Sequence, residues 1–113
     1  MDLKEKIRSI PDFPIKGVLF RDITTLLKDK DGYHALIETI ADSLRDRQVD
    51  LVIGPEARGF VIGAALAYAL GAGFILARKP GKLPCETMRY EYGLEYGSDV
   101  LEIHKDSIQP GQK

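Results

Sequence analysis

Cysteine occurs once in the 113-residue chain, at Cys85, which excludes an intrachain disulfide and a zinc site built on cysteines. Neither sign of charge dominates. Sixteen lysines and arginines face 17 aspartates and glutamates, so the bulk charge points to neither nucleic acid nor an anionic membrane surface. A long hydrophobic run is also missing. The longest uncharged stretch, Gly59 to Ala77, is rich in glycine and alanine and must supply a strand as well as a helix, so it does not read as a membrane span. Asp2, Lys4, Glu5 and Lys6 leave no room for the apolar stretch of a secretory signal, and a cytoplasmic protein is the expectation. What is present is ordinary globular composition, 44% hydrophobic and 29% charged, enough for one domain with a real core.

The apolar spacing predicts the elements. Asp2 can cap a short helix carrying Leu3, Ile7 and Ile10, with Pro11 ending it, and Pro11 to Lys16 is then expected to be extended. A second helix from about Asp31 to Arg47 places Tyr33, Leu36, Ile37, Ile40 and Leu44 on one face. Val49 to Ile53, closed by Gly54 and Pro55, reads as a strand buried on both faces. A helix from Arg58 to Leu70 follows, stopped by Gly71, and Phe74 to Ala77 is a second buried strand. These three elements make a unit with parallel strands and a right-handed crossover, so the fold class is α/β. Pro80, Gly81 and Pro84 then interrupt regular structure. Thr87 to Tyr92 and Leu94 to Tyr96, separated by Gly93, form a flap or hairpin, Val100 to Ile103 returns as an apolar strand, and Gln109-Pro110-Gly111-Gln112 is a turn. Three short strands would leave part of a parallel sheet uncovered, and the fold is expected to be unfinished at Lys113.

Four constellations carry candidate chemistry. At Gly54-Pro55-Glu56-Ala57-Arg58-Gly59 a strand ends and a helix begins, offering free N–H groups, a positive dipole and the Arg58 fork to an anion. A plain strand-to-helix turn with a solvated arginine explains that junction equally well. Arg78-Lys79-Pro80-Gly81-Lys82 puts three cations after the next strand, hence at the same sheet edge, which favours a phosphate or pyrophosphate site over a solvated basic loop. Phe13 to Asp22 could hold a planar ligand between an aromatic face and main-chain groups, or could be a surface strand with Val18, Phe20 and Ile23 in the core. Tyr90, Tyr92, Glu95 and Tyr96 read either as an amphipathic hairpin with cross-strand tyrosine pairing or as a lid. His34 and His104 are isolated and read as structural.

Several ordered motifs together carry a resemblance. P-D-F-P at Pro11 to Pro14, G-V-L-F-R-D-I at Gly17 to Ile23, A-R-G-F at Ala57 to Phe60 and R-K-P-G-K-L-P at Arg78 to Pro84 are similar to those of the adenine phosphoribosyltransferases, type I phosphoribosyltransferases. L-E-Y-G at Leu94 to Gly97, L-E-I-H-K-D at Leu101 to Asp106 and P-G-Q at Pro110 to Gln112 match as well. The resemblance implies a parallel sheet with flanking helices and a flap, truncated at the C-terminus. Its single incomplete domain would comprise a base-binding segment over 1–30, a core over 31–78, a basic loop and flap over 79–97, and a strand and terminal turn over 98–113.

The implied reaction joins adenine and phosphoribosyl pyrophosphate to give AMP and pyrophosphate, a step of purine salvage. Magnesium would be carried on the phosphoribosyl pyrophosphate, with no metal ligand from the chain. Leu19 would present its main-chain N–H and C=O to the adenine edge, beside Phe20 and Arg21. Glu56, Ala57, Arg58, Arg78, Lys79 and Lys82 would bind pyrophosphate, with the Glu56–Ala57 peptide cis. Glu95 and Tyr96 would be catalytic, one handling the N9 proton and the other closing the site. A homodimer is implied, with neither nucleic acid nor membrane as partner. The family's phosphoribosyl loop begins with two adjacent acidic residues, and this sequence contains no such pair. The chain alone is therefore expected to have little or no transferase activity. A non-catalytic nucleotide-binding module on the same scaffold, or an assembly fragment needing a complementary chain, remain open alternatives.

Overall fold

The computed structural model describes residues 2–94 and 97–113. They form two compact units, residues 1–40 and 41–113. In the first unit Asp2 caps as expected, its carboxylate accepting from the Lys4 N–H at 3.0 Å, but the turn it caps is a 3-10 helix of four residues, Leu3–Lys6. The positions predicted to extend that helix instead form strand β1 (Arg8–Pro11), antiparallel to β2 (Leu19–Asp22), with Ile10 opposite Phe20. Strand pairing prevails because Asp22, nearly buried in β2, accepts from both Arg8 Nε (3.1 Å) and Nη2 (2.5 Å) across the ladder. The connection is also not extended. Asp12 has φ 57°, the Phe13–Pro14 peptide is cis, and the Gly17 N–H, at φ 90°, donates to the Asp12 carboxylate at 2.9 Å. Turn chemistry at Asp12 and Gly17 overrides the extended preference of residues before proline.

A short helix α1 (Thr24–Lys28), unforeseen from the sequence, starts on the other side of Asp22, whose carboxylate accepts from the Thr24 N–H (2.9 Å) and hydroxyl (2.7 Å). The Thr24 hydroxyl, and after it Arg8, hold the Asp22 carboxyl down to about 2 from an ordinary 3.8. A carboxylate depressed in this way stabilises the fold fully above its unfolded pKa, and that contribution is lost as pH falls through the folded value. The melting temperature is expected to drop between about pH 4 and pH 2, and to drop less steeply in Asp22→Asn. Parallel melting profiles of the two proteins over that range would refute the assignment.

Helix α2 (Lys30–Leu44) buries Ile37 and Ala41 and half-buries Tyr33, Leu36, Ile40 and Leu44, as its periodicity predicts, and runs on into a 3-10 turn, Arg45–Arg47. In the second unit β3 (Leu51–Pro55) and β4 (Gly73–Ala77) pair in parallel, from Leu51 opposite Gly73 to Pro55 opposite Ala77. Helix α3 (Arg58–Leu70) connects them, and Gly71 closes it at φ 69° with its N–H on the Ala67 and Tyr68 carbonyls. Phe74 meets the ring of Phe60 edge-on at 6.2 Å, and β3 and β4 both pack on α3. Burial on both faces is not found: Ile53 and Leu76 remain 49% and 42% exposed, since α3 alone cannot cover two sides of the strand pair.

Thr87 to Leu94 is one continuous strand, β5, antiparallel to β6 (Gly97–His104), with Thr87 opposite His104. The segment Val100 to Ile103 is thus the returning arm of a hairpin and not a third parallel strand. A single antiparallel bridge between Arg78 and Glu102 joins that hairpin to the end of β4. The turn at 109–112 forms as expected, with the Gln112 N–H on the Gln109 carbonyl at 3.2 Å and Gly111 at φ 87°. Lys113 then lies along the start of β3, its carbonyl accepting from Asp50 and Leu51 N–H at 2.7 and 3.0 Å. Among the described residues no helix is long and apolar enough to cross a membrane.

Candidate active site

The carboxyl ends of β3 and β4 lie side by side, with the Glu56 N–H donating to the Ala77 carbonyl at 3.0 Å. Both predicted basic segments therefore leave the sheet at one edge, where open α/β sheets hold ligands. The Glu56–Ala57 peptide is cis, as the resemblance implies. It leads directly into the first turn of α3, where Arg58 is exposed to solvent. The Glu56 side chain accepts from the Lys79 N–H at 2.7 Å and from Arg78 Nε at 3.3 Å. The Lys79 N–H first, then the Arg78 guanidinium, hold the Glu56 carboxyl below the usual carboxylate range. Arg78 also lies 5.9 Å over the Phe60 ring. Glu56, Arg78 and Lys79 are thus brought together, and the exposed Lys82 closes a turn through its N–H on the Lys79 carbonyl at 3.2 Å, with Gly81 at φ 81°. A groove of about 450 Å³ lined in part by Leu51, Ile75, Leu83 and His104 contains none of the predicted site residues.

One acidic residue at this loop is not singled out by its sequence motif. Glu102, 7% exposed, accepts from the Gly81 N–H at 2.9 Å and the Thr87 hydroxyl at 2.8 Å, and pairs with Arg89 at 3.3 Å. The signal that could reveal it is an acid in the middle of the apolar run Val100 to Ile103, where a solvent-averse strand has no reason to carry a charge. The described residues contain no group of three or more His, Cys, Asp or Glu side chains placed to hold a metal ion.

In the first unit Leu19, Phe20 and Arg21 lie along β2. Phe20 meets Phe13 edge-on at 5.2 Å, and Arg21 Nη1 donates to the Ser9 hydroxyl at 2.6 Å. Leu19 is 51% exposed and stands opposite Pro11, which has no N–H to donate to the Leu19 carbonyl. Glu95 and Tyr96, the two expected catalytic residues, lie outside the described residues. Tyr90 and Tyr92 face Leu101 and Asp99 across the hairpin, so the expected pairing of tyrosine with tyrosine does not occur there. The Tyr92 hydroxyl donates to Asp99 at 3.3 Å.

No family model matches the chain. Individual proteins do. Adenine phosphoribosyltransferase of Alkaliphilus metalliredigens is 60% identical over all 113 residues, which span 66% of that protein. The crystal structure of adenine phosphoribosyltransferase from Thermoanaerobacter pseudethanolicus is 58% identical and superposes with a TM-score of 0.91, over 97% of this chain and 64% of that one. The Saccharomyces cerevisiae adenine phosphoribosyltransferase, crystallised with an imino-altritol bisphosphate and adenine, is 38% identical with a TM-score of 0.89, over 97% of this chain and 65% of that one. The chain thus spans about two thirds of the length of these relatives and carries their type I phosphoribosyltransferase fold over that span. With identity of 60% along its whole length and the same backbone, the chain belongs to the adenine phosphoribosyltransferase family.

Proposed function

We propose that these residues serve the transfer of a phosphoribosyl group from phosphoribosyl pyrophosphate to N9 of adenine, giving AMP and pyrophosphate in purine salvage. The observation that carries this reading is the basic loop Arg78 to Lys82, held beside the Glu56–Ala57 turn at the ends of two adjacent parallel strands. Arg58, Arg78, Lys79 and Lys82 offer the leaving pyrophosphate four cations, together with main-chain N–H groups at the start of α3. As the glycosidic bond to pyrophosphate loosens, charge builds on the departing oxygens, and cations fixed there beforehand lower the barrier. Magnesium would arrive on the pyrophosphate oxygens. The nearby carboxylates of Glu56 and Glu102 are both committed to N–H groups of the loop. Glu95 would take up the N9 proton, with Tyr96 closing over the site. A homodimer in the cytoplasm is the corresponding assembly and location. The 5-phosphate is assigned to no residue of this chain, because the acidic pair of the family's phosphoribosyl loop is not among the 113. Binding of base and pyrophosphate with little turnover is what the isolated chain should show.

Adenine would be read by the main chain of Leu19, a residue 51% exposed. An N–H and a C=O from one residue match the N1 acceptor and N6 donor of adenine, whereas hypoxanthine and guanine present the reverse pattern. Two mismatched hydrogen bonds at roughly 1 to 3 kcal/mol each predict a preference for adenine of at least about 30-fold. Calorimetric titration of the chain with the three bases, alongside an assay for pyrophosphate release, tests the reading. Equal affinity for adenine and hypoxanthine would refute the base assignment, and rapid AMP synthesis by these 113 residues would refute the expectation of little turnover.

A further inference from the structure

We propose that Glu102 is a positioning residue for the pyrophosphate loop, fixing Arg78 through its main chain and Gly81 through its carboxylate. The inference rests on the function proposed above and extends it to the motif L-E-I-H-K-D, to which that function gives no task. The main chain of Glu102 exchanges two hydrogen bonds with Arg78, N–H to carbonyl at 2.9 Å in one direction and 2.7 Å in the other. Three residues further along the loop, its carboxylate takes the Gly81 N–H at 2.9 Å. A loop clasped at both points by one residue cannot spread, and Lys79 and Lys82, which lie between and just after them, keep a fixed spacing. Lys105, just past the end of β6, continues the clasp, its N–H donating to the Glu86 carbonyl at 2.9 Å, so the motif holds the beginning, middle and end of the segment from β4 to β5.

The chemistry explains why an acid stands so close to a site for an anion. Glu102 is nearly buried, and its charge is spent on Gly81, the Thr87 hydroxyl and Arg89. The carboxylate thus orders the cationic loop from behind. A displaced cation costs binding steeply, because charge-assisted hydrogen bonds to phosphate depend on reach and angle.

The test uses the 113-residue chain with magnesium pyrophosphate as the probe and adenine as the internal control. Glu102→Ala is expected to weaken pyrophosphate binding about 10-fold or more while adenine affinity stays within about 2-fold, and to free the Gly81 amide to exchange with solvent. Glu102→Gln keeps an amide oxygen for Gly81 and is expected to restore Gly81 protection and most of the affinity. If Glu102→Ala fails to fold, Glu102→Asp, which draws the carboxylate back from Gly81, replaces it and is expected to show the same selective loss. Wild-type binding that the Ala or Asp variant retains would overturn the role of Glu102. Loss of adenine and pyrophosphate binding together in a folded variant would do the same, since that is what a purely structural residue gives. A wild-type chain that binds adenine but no pyrophosphate would instead overturn the reading of the basic loop itself.

Discussion

Replacing Gly54 with alanine is expected to destabilise the chain by about 3 kcal/mol and to lower its melting temperature by roughly 12 to 20 °C. Gly54 sits in β3 where α3 crosses it, and a Cβ there would stand 2.3 Å from the Gly59 carbonyl oxygen and 2.8 Å from the Phe74 ring. The first clash is with main chain, which cannot rotate aside as a side chain can. Either β3 or the first turn of α3 must move; the Glu56–Ala57 peptide joins the two and Arg58 begins that turn, so pyrophosphate binding should weaken in parallel. Gly63→Ala is a graded control. Its Cβ would lie 2.6 Å from Phe74 Cε1, and a small tilt of that ring relieves the clash, so a loss of about 1 to 2 kcal/mol is expected. At Gly93 a Cβ would meet nothing within 4 Å, and Gly93→Ala is expected to stay within about 0.5 kcal/mol of wild type. Urea unfolding of the three variants gives the order directly. A Gly54→Ala protein as stable as Gly93→Ala would mean that α3 does not approach β3 this closely.

The elements that the sequence made legible are those whose burial pattern is local. Tyr33 to Leu44 repeats at helical spacing and folds as a helix, and Gly71 stops α3 where a left-handed residue is needed. Leu3, Ile7 and Ile10 also satisfy helical spacing, yet Ile7 only closes the 3-10 turn and Ile10 belongs to strand pairing, because the partner that decides the matter, Phe20 in β2, lies ten residues further along. The same holds for Val100 to Ile103. Its apolar run says strand but not which neighbour, and the acid at 102 is the local sign that one side meets polar groups. At the site, Arg58 and Arg78 could be placed at one edge from the strand-helix-strand rule alone. Glu102 could not, since its partners Gly81, Thr87 and Arg89 come together only when the hairpin forms.

Arg78→Ala is expected to weaken magnesium pyrophosphate binding about 100-fold, more than the loss of any single charge-assisted hydrogen bond at roughly 1.5 to 3 kcal/mol would require at its lower end. Two effects add. The guanidinium proposed to meet the anion is removed, and Glu56, which Arg78 Nε touches at 3.3 Å, is left with its charge uncovered at the same sheet edge. The carboxylate does not simply neutralise, because the Lys79 N–H at 2.7 Å still favours its ionised form. Arg78→Lys separates the two effects. An ammonium keeps the charge but loses the fork and the stacking over Phe60, so it should recover part of the affinity, about 10-fold of the loss. In the double variant Arg78→Ala with Glu56→Gln the repulsion is gone while the amide still accepts from Lys79. If the uncovered charge matters, that protein binds pyrophosphate more tightly than Arg78→Ala alone, and the difference shrinks as salt is raised. Binding by Arg78→Ala within about 3-fold of wild type would show that the anion is held elsewhere, since removing even one charge-assisted hydrogen bond to it should weaken binding by more than that. A double variant weaker than the single one would show that Glu56 acts by holding the loop and not by its charge, which would make it, with Glu102, the second of two acids that shape a cationic site from behind.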